Sequence, residues 1–290
     1  MTILVTADLH YDIARSRAPA ARMAEEVCRR GGDALVLVGD TAGARLTPLR
    51  ECLRLFAGFS GRKLMVVGNH CLWCRPGEDS LARYERILPE VAAAEGFTLL
   101  DHEPVVLKGV GLVGSVGWYD YSFRDESLGI PEAFYRAKLA PGAAACDEGC
   151  GGLIEAHRSA LTVEQMAISS RWMDGRYVRL GMTDEQFTSL LAEKLAGHLD
   201  GVAGRVERIV AFVHHLPFGE LVPRDRPREF AFAAAFMGAS RLGEVLLDCE
   251  KVTHVYCGHS HWWDSRRVGR IEVVNVGSTY TRKRLEVLEL

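Results

Sequence analysis

The chain has no stretch approaching the roughly 20 consecutive apolar residues that a membrane-spanning helix needs, so no helical span is expected. It has no basic tail and no long Lys/Arg run. With a formal charge of -3 and a pI near 6.4, it lacks the electrostatic footprint of a general duplex binder, and nucleic acid is not an expected partner. It has no N-terminal basic segment followed by an apolar run and a small-residue cleavage site, because Met1 to Val5 leads straight to Asp8 and His10. A cytoplasmic address is the expectation. A disulfide framework is missing too. The eight cysteines, Cys28, Cys52, Cys71, Cys74, Cys146, Cys150, Cys249 and Cys257, are scattered over 290 residues, unlike the dense spacing of a small secreted scaffold. Internal repeats and low-complexity tracts are also absent. With 48% hydrophobic and 25% charged residues, the chain can instead bury a full core as one domain over residues 1–290.

The first third alternates short β-rich apolar runs, at residues 3–6, 34–38 and 64–67, with helical patterns over 19–30 and 49–56. That alternation argues for βαβ units and a sheet buried on both faces. Each run ends in a polar cluster, and the carboxyl ends of strands are where open α/β sheets bind ligands. A helix over 80–88 precedes two short strands, 105–107 and 111–116, that look like the start of a second sheet. Residues 118–183 differ: aromatic at first, then Ala/Gly-rich, with one weakly patterned helix at 165–173. They are read as an insertion or cap. The pattern resumes with a helix over 184–198, a strand over 209–213, a helix over 242–247 and strands at 254–257, 272–276 and 285–288.

Five polar clusters sit at strand ends: Asp8-Leu9-His10, Gly39-Asp40, Gly68-Asn69-His70, His214-His215 and Gly258-His259-Ser260-His261. Residues i and i+2 of an extended segment point to one side, so Asp8 with His10, and His259 with His261, are each expected to face one centre. Together the clusters offer two carboxylates, an Asn carbonyl and up to five imidazoles. That mixed set suits Mn, Fe, Zn, Co or Ni better than Mg or Ca alone. The glycines before Asp40, Asn69 and His259 permit tight turns and close backbone approach.

In that order and across nearly the whole chain, these blocks resemble the calcineurin-like metallophosphoesterase superfamily, whose signature runs D-x-H, G-D, G-N-H, a strand-end His and G-H-x-H. The resemblance implies a four-layer α/β/β/α sandwich of two mixed β-sheets flanked by helices, here with an insertion. It also implies two divalent ions, manganese favoured, with Asp8, His10 and His261 on one, Asn69, His214 and His259 on the other, and Asp40 between them. His70 is implied as an acid or phosphate stabiliser beside the ions, and Asp40 and His70 as the catalytic pair. His214 directly ends an apolar run and is preferred over His215 as ligand; His215 would then face the substrate or pack, and Asn69 would also reach the substrate. Two ions roughly 3.5–4 Å apart supply hydroxide near neutral pH and neutralise phosphoryl oxygens. The implied activity is hydrolysis of a phosphomonoester, phosphodiester or phosphoanhydride in a small phosphorylated substrate. A nuclease of the same superfamily and a non-catalytic metal-binding scaffold are the alternatives.

Three departures from the family pattern stand out. The run Gly39-Asp40-Thr41-Ala42-Gly43 lacks the second Asp of G-D-x-x-D, which disfavours the phosphoprotein-phosphatase branch. The third block continues Cys71-Leu72-Trp73-Cys74 in place of an acid. With Cys146 and Cys150 that CxxC could hold a structural zinc or form a redox-sensitive disulfide; the simpler expectation is reduced, partly buried thiols. Asn275-Val276-Gly277-Ser278 resembles the family's N-P-G-S turn with Val for Pro, and is read as support for the fold. Outside the blocks, Gly117-Trp118-Tyr119-Asp120-Tyr121-Ser122-Phe123 could line a pocket for a flat group or form a hydrophobic seam. Arg224, Arg226 and Arg228 could clamp a phosphate or form a solvated charge run.

Overall fold

The computed structural model describes residues 1–224 and 227–290. Its first sheet has the order β11-β1-β2-β3-β4, with β1 at Thr2–Thr6, β2 at Ala34–Val38, β3 at Arg62–Val66, β4 at Thr98–Leu99 and β11 at Glu286–Glu289. Strands β1 to β4 run parallel and β11 closes the edge antiparallel to β1. The second sheet has the order β5-β6-β7-β8-β10-β9. It comprises β5 at Val105–Leu107, β6 at Val110–Ser115, β7 at Arg208–Val213, β8 at Val252–Cys257, β9 at Asp264–Val268 and β10 at Ile271–Asn275. Here β6, β7, β8 and β10 are parallel, with β5 and β9 antiparallel at the edges.

Alternation along each strand divides its side chains between two cores. Ile3, Val5, Val36, Val38, Leu64 and Val66 face Leu112, Val210, Phe212 and Tyr256 across the gap between the sheets. Leu4, Leu35, Leu37 and Met65 point the other way, onto Met23 and Val27 of the helix Ala14–Arg30 and Leu49 and Leu53 of the helix Leu46–Arg54. On the far side Val113, Ile209, Ala211 and Val255 meet Leu195 and Leu199 of the helix Asp184–Ala203 and Leu242 and Leu246 of the helix Ser240–Asp248. Helix, sheet, sheet, helix is therefore the layer order, as the family resemblance implies.

Local differences from the sequence expectations have physical causes. The first helix starts at Ala14, so Pro19 lies inside it. The helix expected over 80–88 is a composite: Ser80–Ala82, a π-helical turn Arg83–Ile87, then Leu88–Ala94. The helix expected over 165–173 does not form. A capping box between Thr162 and Gln165 starts a single turn, Val163–Met166, and the backbone then extends so that 138–140 pairs with 170–172. Between β6 and the helix Asp184–Ala203 the chain has only short helices and no named strand.

Candidate metal centre

The parallel strands end at one edge of the molecule, and the polar clusters follow them there: Asp8 after β1, Asp40 after β2, Asn69 after β3, His214 after β7, His259 and His261 after β8. The pairs Asp8/His10 and His259/His261 do face one centre, although not by extended pleating. Asp8, His10, Asp40, His259 and His261 all have positive φ, between 43° and 69°. This is a correction to the pleat argument. Left-handed residues, sparsely populated without glycine, turn the side chains inward, and such strain clusters at functional sites. The backbone is held there by amides: Asp8 N–H donates to Gly39 O at 3.1 Å and His10 N–H to Asp40 O at 2.8 Å.

Three motif glycines are required by close approach, Gly258 among them because a Cβ there would lie 2.6 Å from Asp8 Oδ2. A Cβ on Gly39 would lie 2.1 Å from His214 Nδ1, and one on Gly68 would lie 2.1 Å from Asp40 Oδ1. Only Gly39 also needs positive φ, at 79°.

Ligand-type atoms converge in three overlapping groups, each within 4.8 Å: Asp8, His10 and His261; His10, Asp40 and His70; Asp40, His214 and His259. Asn69 joins the last, its Oδ1 lying 3.3 Å from His214 Nε2. The donor set fits divalent ions on two grounds. Three imidazoles each use one ring nitrogen on a backbone carbonyl and aim the other inward: His214 Nδ1 at Val38 O, His259 Nε2 at Phe236 O and His261 Nδ1 at Ser278 O, at 3.0, 3.1 and 2.6 Å. Such outer hydrogen bonds fix tautomer and ring orientation in metal sites. In addition, both ring nitrogens of His10 and Nδ1 of His70 are buried without a hydrogen-bond partner. Buried polar atoms are normally satisfied, so these orphans call for an ion or a water.

The electrostatics agree. Burial would raise the Asp40 carboxyl, yet His214, His70 and His10 around it hold it well below the usual range. Burial raises Asp8 and pulls His10 and His259 far down, leaving their imidazoles neutral. Burial also works against charge on His214, but Asp40 and Asp8 push it up to about 9.

His70 stacks on Trp73 at 3.7 Å between ring centroids, and its Nε2 is 3.9 Å from Asp40 Oδ2. It borders a pocket of about 280 Å³ together with Asp40, Asn69, Trp73, Trp172 and Tyr280. A larger cleft of about 750 Å³, between Met1, Lys108 and Arg208, gathers none of these ligands. His215 is buried and not among the residues lining the metal-side pocket; it packs 4.1 Å from the His259 ring and against Trp118. Its Nδ1 lies 2.9 Å from Val116 O and its Nε2 is buried without a hydrogen-bond partner.

Other candidates fall away from the centre. Trp118, Tyr119, Tyr121 and Phe123 are buried in the core, so the aromatic run is a seam. Arg224 and Arg228 are exposed and do not line the pocket, while Arg226 lies outside the described residues. All eight cysteines are unpaired, and the three ligand groups contain none of them. Burial pushes the Cys71 thiol up to about 11, which suits a reduced, inert group. The Asn275 turn braces the centre from behind: Asn275 Nδ2 donates to Ser260 Oγ at 2.7 Å, and Ser278 supplies the carbonyl for His261.

Several contributors carried no sequence signal. Lys283 Nζ donates to Asp8 O at 2.6 Å. Arg83 NH2 donates to Gly43 O at 3.2 Å and its Nε to Cys71 O, tying the Asp40 and Asn69 loops together. Arg171, Trp172 and Asp174 bring the 118–183 segment to the pocket.

Residues 1–136 match the family model described as calcineurin-like phosphoesterase. No curated protein matches the chain. Among solved structures, a phosphopantetheinyl hydrolase from Mycobacterium tuberculosis aligns over 97% of this chain and 90% of its own, with TM-score 0.67 and 18% identity. A Thermus thermophilus protein aligns over 99% and 97%, with TM-score 0.53 and 12% identity. A dimetal phosphatase from Danio rerio aligns over 96% and 87%, with TM-score 0.51 and 16% identity. At these identities the likeness to the solved structures is one of fold.

Proposed function

We propose that this chain, whose residues 1–136 match the calcineurin-like phosphoesterase model, is a metallophosphoesterase that cleaves an ester bond of a small phosphorylated substrate at a two-ion centre. Asp8, His10 and His261 would hold one ion and Asn69, His214 and His259 the other, with Asp40 placed between the two sets. The observation that carries this reading is the position of Asp40: it belongs to two of the three ligand groups, with Oδ2 3.6 Å from His10 Nε2 and Oδ1 3.5 Å from His214 Nε2.

When bound, a pair of divalent ions lowers the pKa of water toward neutrality and neutralises phosphoryl oxygens. Manganese is the first ion to try, from the mixed N/O donors. His70, at the pocket edge and braced by Trp73, holds a proton for the departing oxygen or adds positive charge beside the phosphoryl group. Arg171 supplies a cation at the pocket lining, while Trp73, Trp172 and Tyr280 offer apolar faces to the rest of the substrate. A cytoplasmic setting fits eight unpaired thiols.

The test is Mn-supplemented hydrolysis of a chromogenic phosphomonoester beside the matching diester, with Asp40→Asn as control. A phosphopantetheinyl ester belongs in the panel because the M. tuberculosis structure is named for that group. Diester preference assigns a phosphodiesterase and monoester preference a phosphatase. Hydrolysis of no phosphoester by protein holding two ions would replace this reading with a metal-binding scaffold.

A further inference from the structure

Asp174 is 1% exposed and accepts four hydrogen bonds, all from neutral groups. Its Oδ1 takes Asn69 Nδ2 at 3.0 Å and Trp73 Nε1 at 2.6 Å. Its Oδ2 takes Tyr119 OH at 3.1 Å and Trp172 Nε1 at 2.7 Å. The donors come from the loop after β3, the seam after β6 and the 170–172 stretch, so one carboxylate gathers three parts of the chain.

The partner that matters is Asn69. An amide can present either end, and only its oxygen has a lone pair for a metal. A carboxylate facing four donors acts as an acceptor, so the end of Asn69 turned toward Asp174 must be the NH2 and the end turned toward His214 must be the carbonyl. We infer that Asp174 is a positioning residue for the second metal site: it locks the Asn69 amide with its oxygen toward the ion and ties Trp73 and Trp172 to that same ligand. Hydrogen bonds of this kind behind a ligand typically hold about 10–100-fold in metal affinity. The inference rests on Asn69 being a ligand, as the proposed function has it.

The two failures can be told apart by titrating metal-free protein with Mn²⁺ and counting bound ions by elemental analysis, with apo-state melting as the fold control. Wild type binds two ions and Asn69→Ala one; if Asn69→Ala still binds two with unchanged affinity, the ligand assignment itself fails. In Asp174→Ala the first ion binds as in wild type and the second about 10–100-fold more weakly. Asp174→Asn, which can keep an oxygen at the Oδ1 position for Asn69 and Trp73, restores most of that affinity. Tyr119→Phe, which removes one donor from Oδ2 and leaves the Asn69 bond, keeps both ions. A folded Asp174→Ala with wild-type affinity at both sites overturns the positioning role. So does a folded Asp174→Asn that loses the second ion, and this variant decides alone if the alanine protein does not fold.

Discussion

Asn69 and Asp174 lie 105 residues apart and meet through a 3.0 Å hydrogen bond, so a residue of the family motif takes its orientation from a segment outside every motif. The same carboxylate carries both pocket indoles. On the proposed ligand set, the pocket and the second metal site are mechanically joined, and changes in the 118–183 segment should register at the ions as well as in the pocket.

Asp40→Asn should abolish turnover and weaken both ions. Asp40 Oδ1 accepts the His70 amide at 2.9 Å and faces His214 while Oδ2 faces His10, so an amide side chain, with one oxygen, must turn its NH2 toward one of these two sides. The expected fall in kcat/KM is at least about 100-fold, or about 2.7 kcal/mol at 1.36 kcal/mol per tenfold. Steady-state kinetics beside metal analysis checks this, and activity within tenfold of wild type would remove Asp40 from the centre.

His70→Ala should keep two ions and lose about 10²–10⁴ in kcat, the range for a positioned acid or base. His70 also shares a ligand group with His10 and Asp40. Loss of an ion in the variant would make it a ligand instead.

Gly68→Ala separates close approach from backbone strain, because Gly68 has φ of -114° and any residue can adopt it. The added methyl must displace both the Asp40 carboxylate and the Asp40 backbone amide, from which it would be 2.1 and 2.2 Å away. Overpacking of this kind costs about 1–3 kcal/mol. A lower melting temperature with weakened metal binding is expected; unchanged metal affinity would show that Asp40 can move without consequence.

Asp101 gives a pH signature away from the ions. It joins the two sheets, its Oδ2 accepting Val67 N–H at 2.8 Å and its Oδ1 Val116 N–H at 2.6 Å. Burial pushes its carboxyl up from 3.8 to about 7 despite these amides. The folded state therefore keeps a proton that the unfolded chain has released, so this contribution to stability is present below about pH 4 and lost as pH rises through about 7. The wild-type melting temperature minus that of Asp101→Asn should fall across this window. A flat difference would show that the carboxyl titrates as in water.

Most of the layer architecture could be read from the chain because the strands are apolar runs buried on both faces, ending where polar clusters begin. The five blocks could be read for the same reason: catalysis needs fixed residue types at fixed spacings. What escaped the sequence has no periodicity. Asp174 follows directly on the weakly patterned stretch where a helix over 165–173 was expected and opens a single turn of its own, and Lys283 and Arg83 act on backbone carbonyls, a target that leaves no complementary residue to spot. Strand β4 has two residues and β9 is a mostly exposed edge, so neither shows an apolar run. The Asp8–His10 spacing pointed to the right centre for the wrong reason, because a pleat and a pair of left-handed turns leave the same two-residue signature.

Those left-handed turns bear on how this protein could be re-engineered. A residue with a side chain held in that region costs roughly 1–2 kcal/mol relative to glycine, and Asp8, His10, Asp40, His259 and His261 all sit there. A designer optimising the backbone for heat resistance would therefore be drawn to glycine or asparagine at these five positions, and each such change would take a carboxylate or an imidazole out of the proposed ligand set. Here the most reactive edge of the molecule is also its least idealised, and thermal hardening has to come from the helices and the inter-sheet core instead.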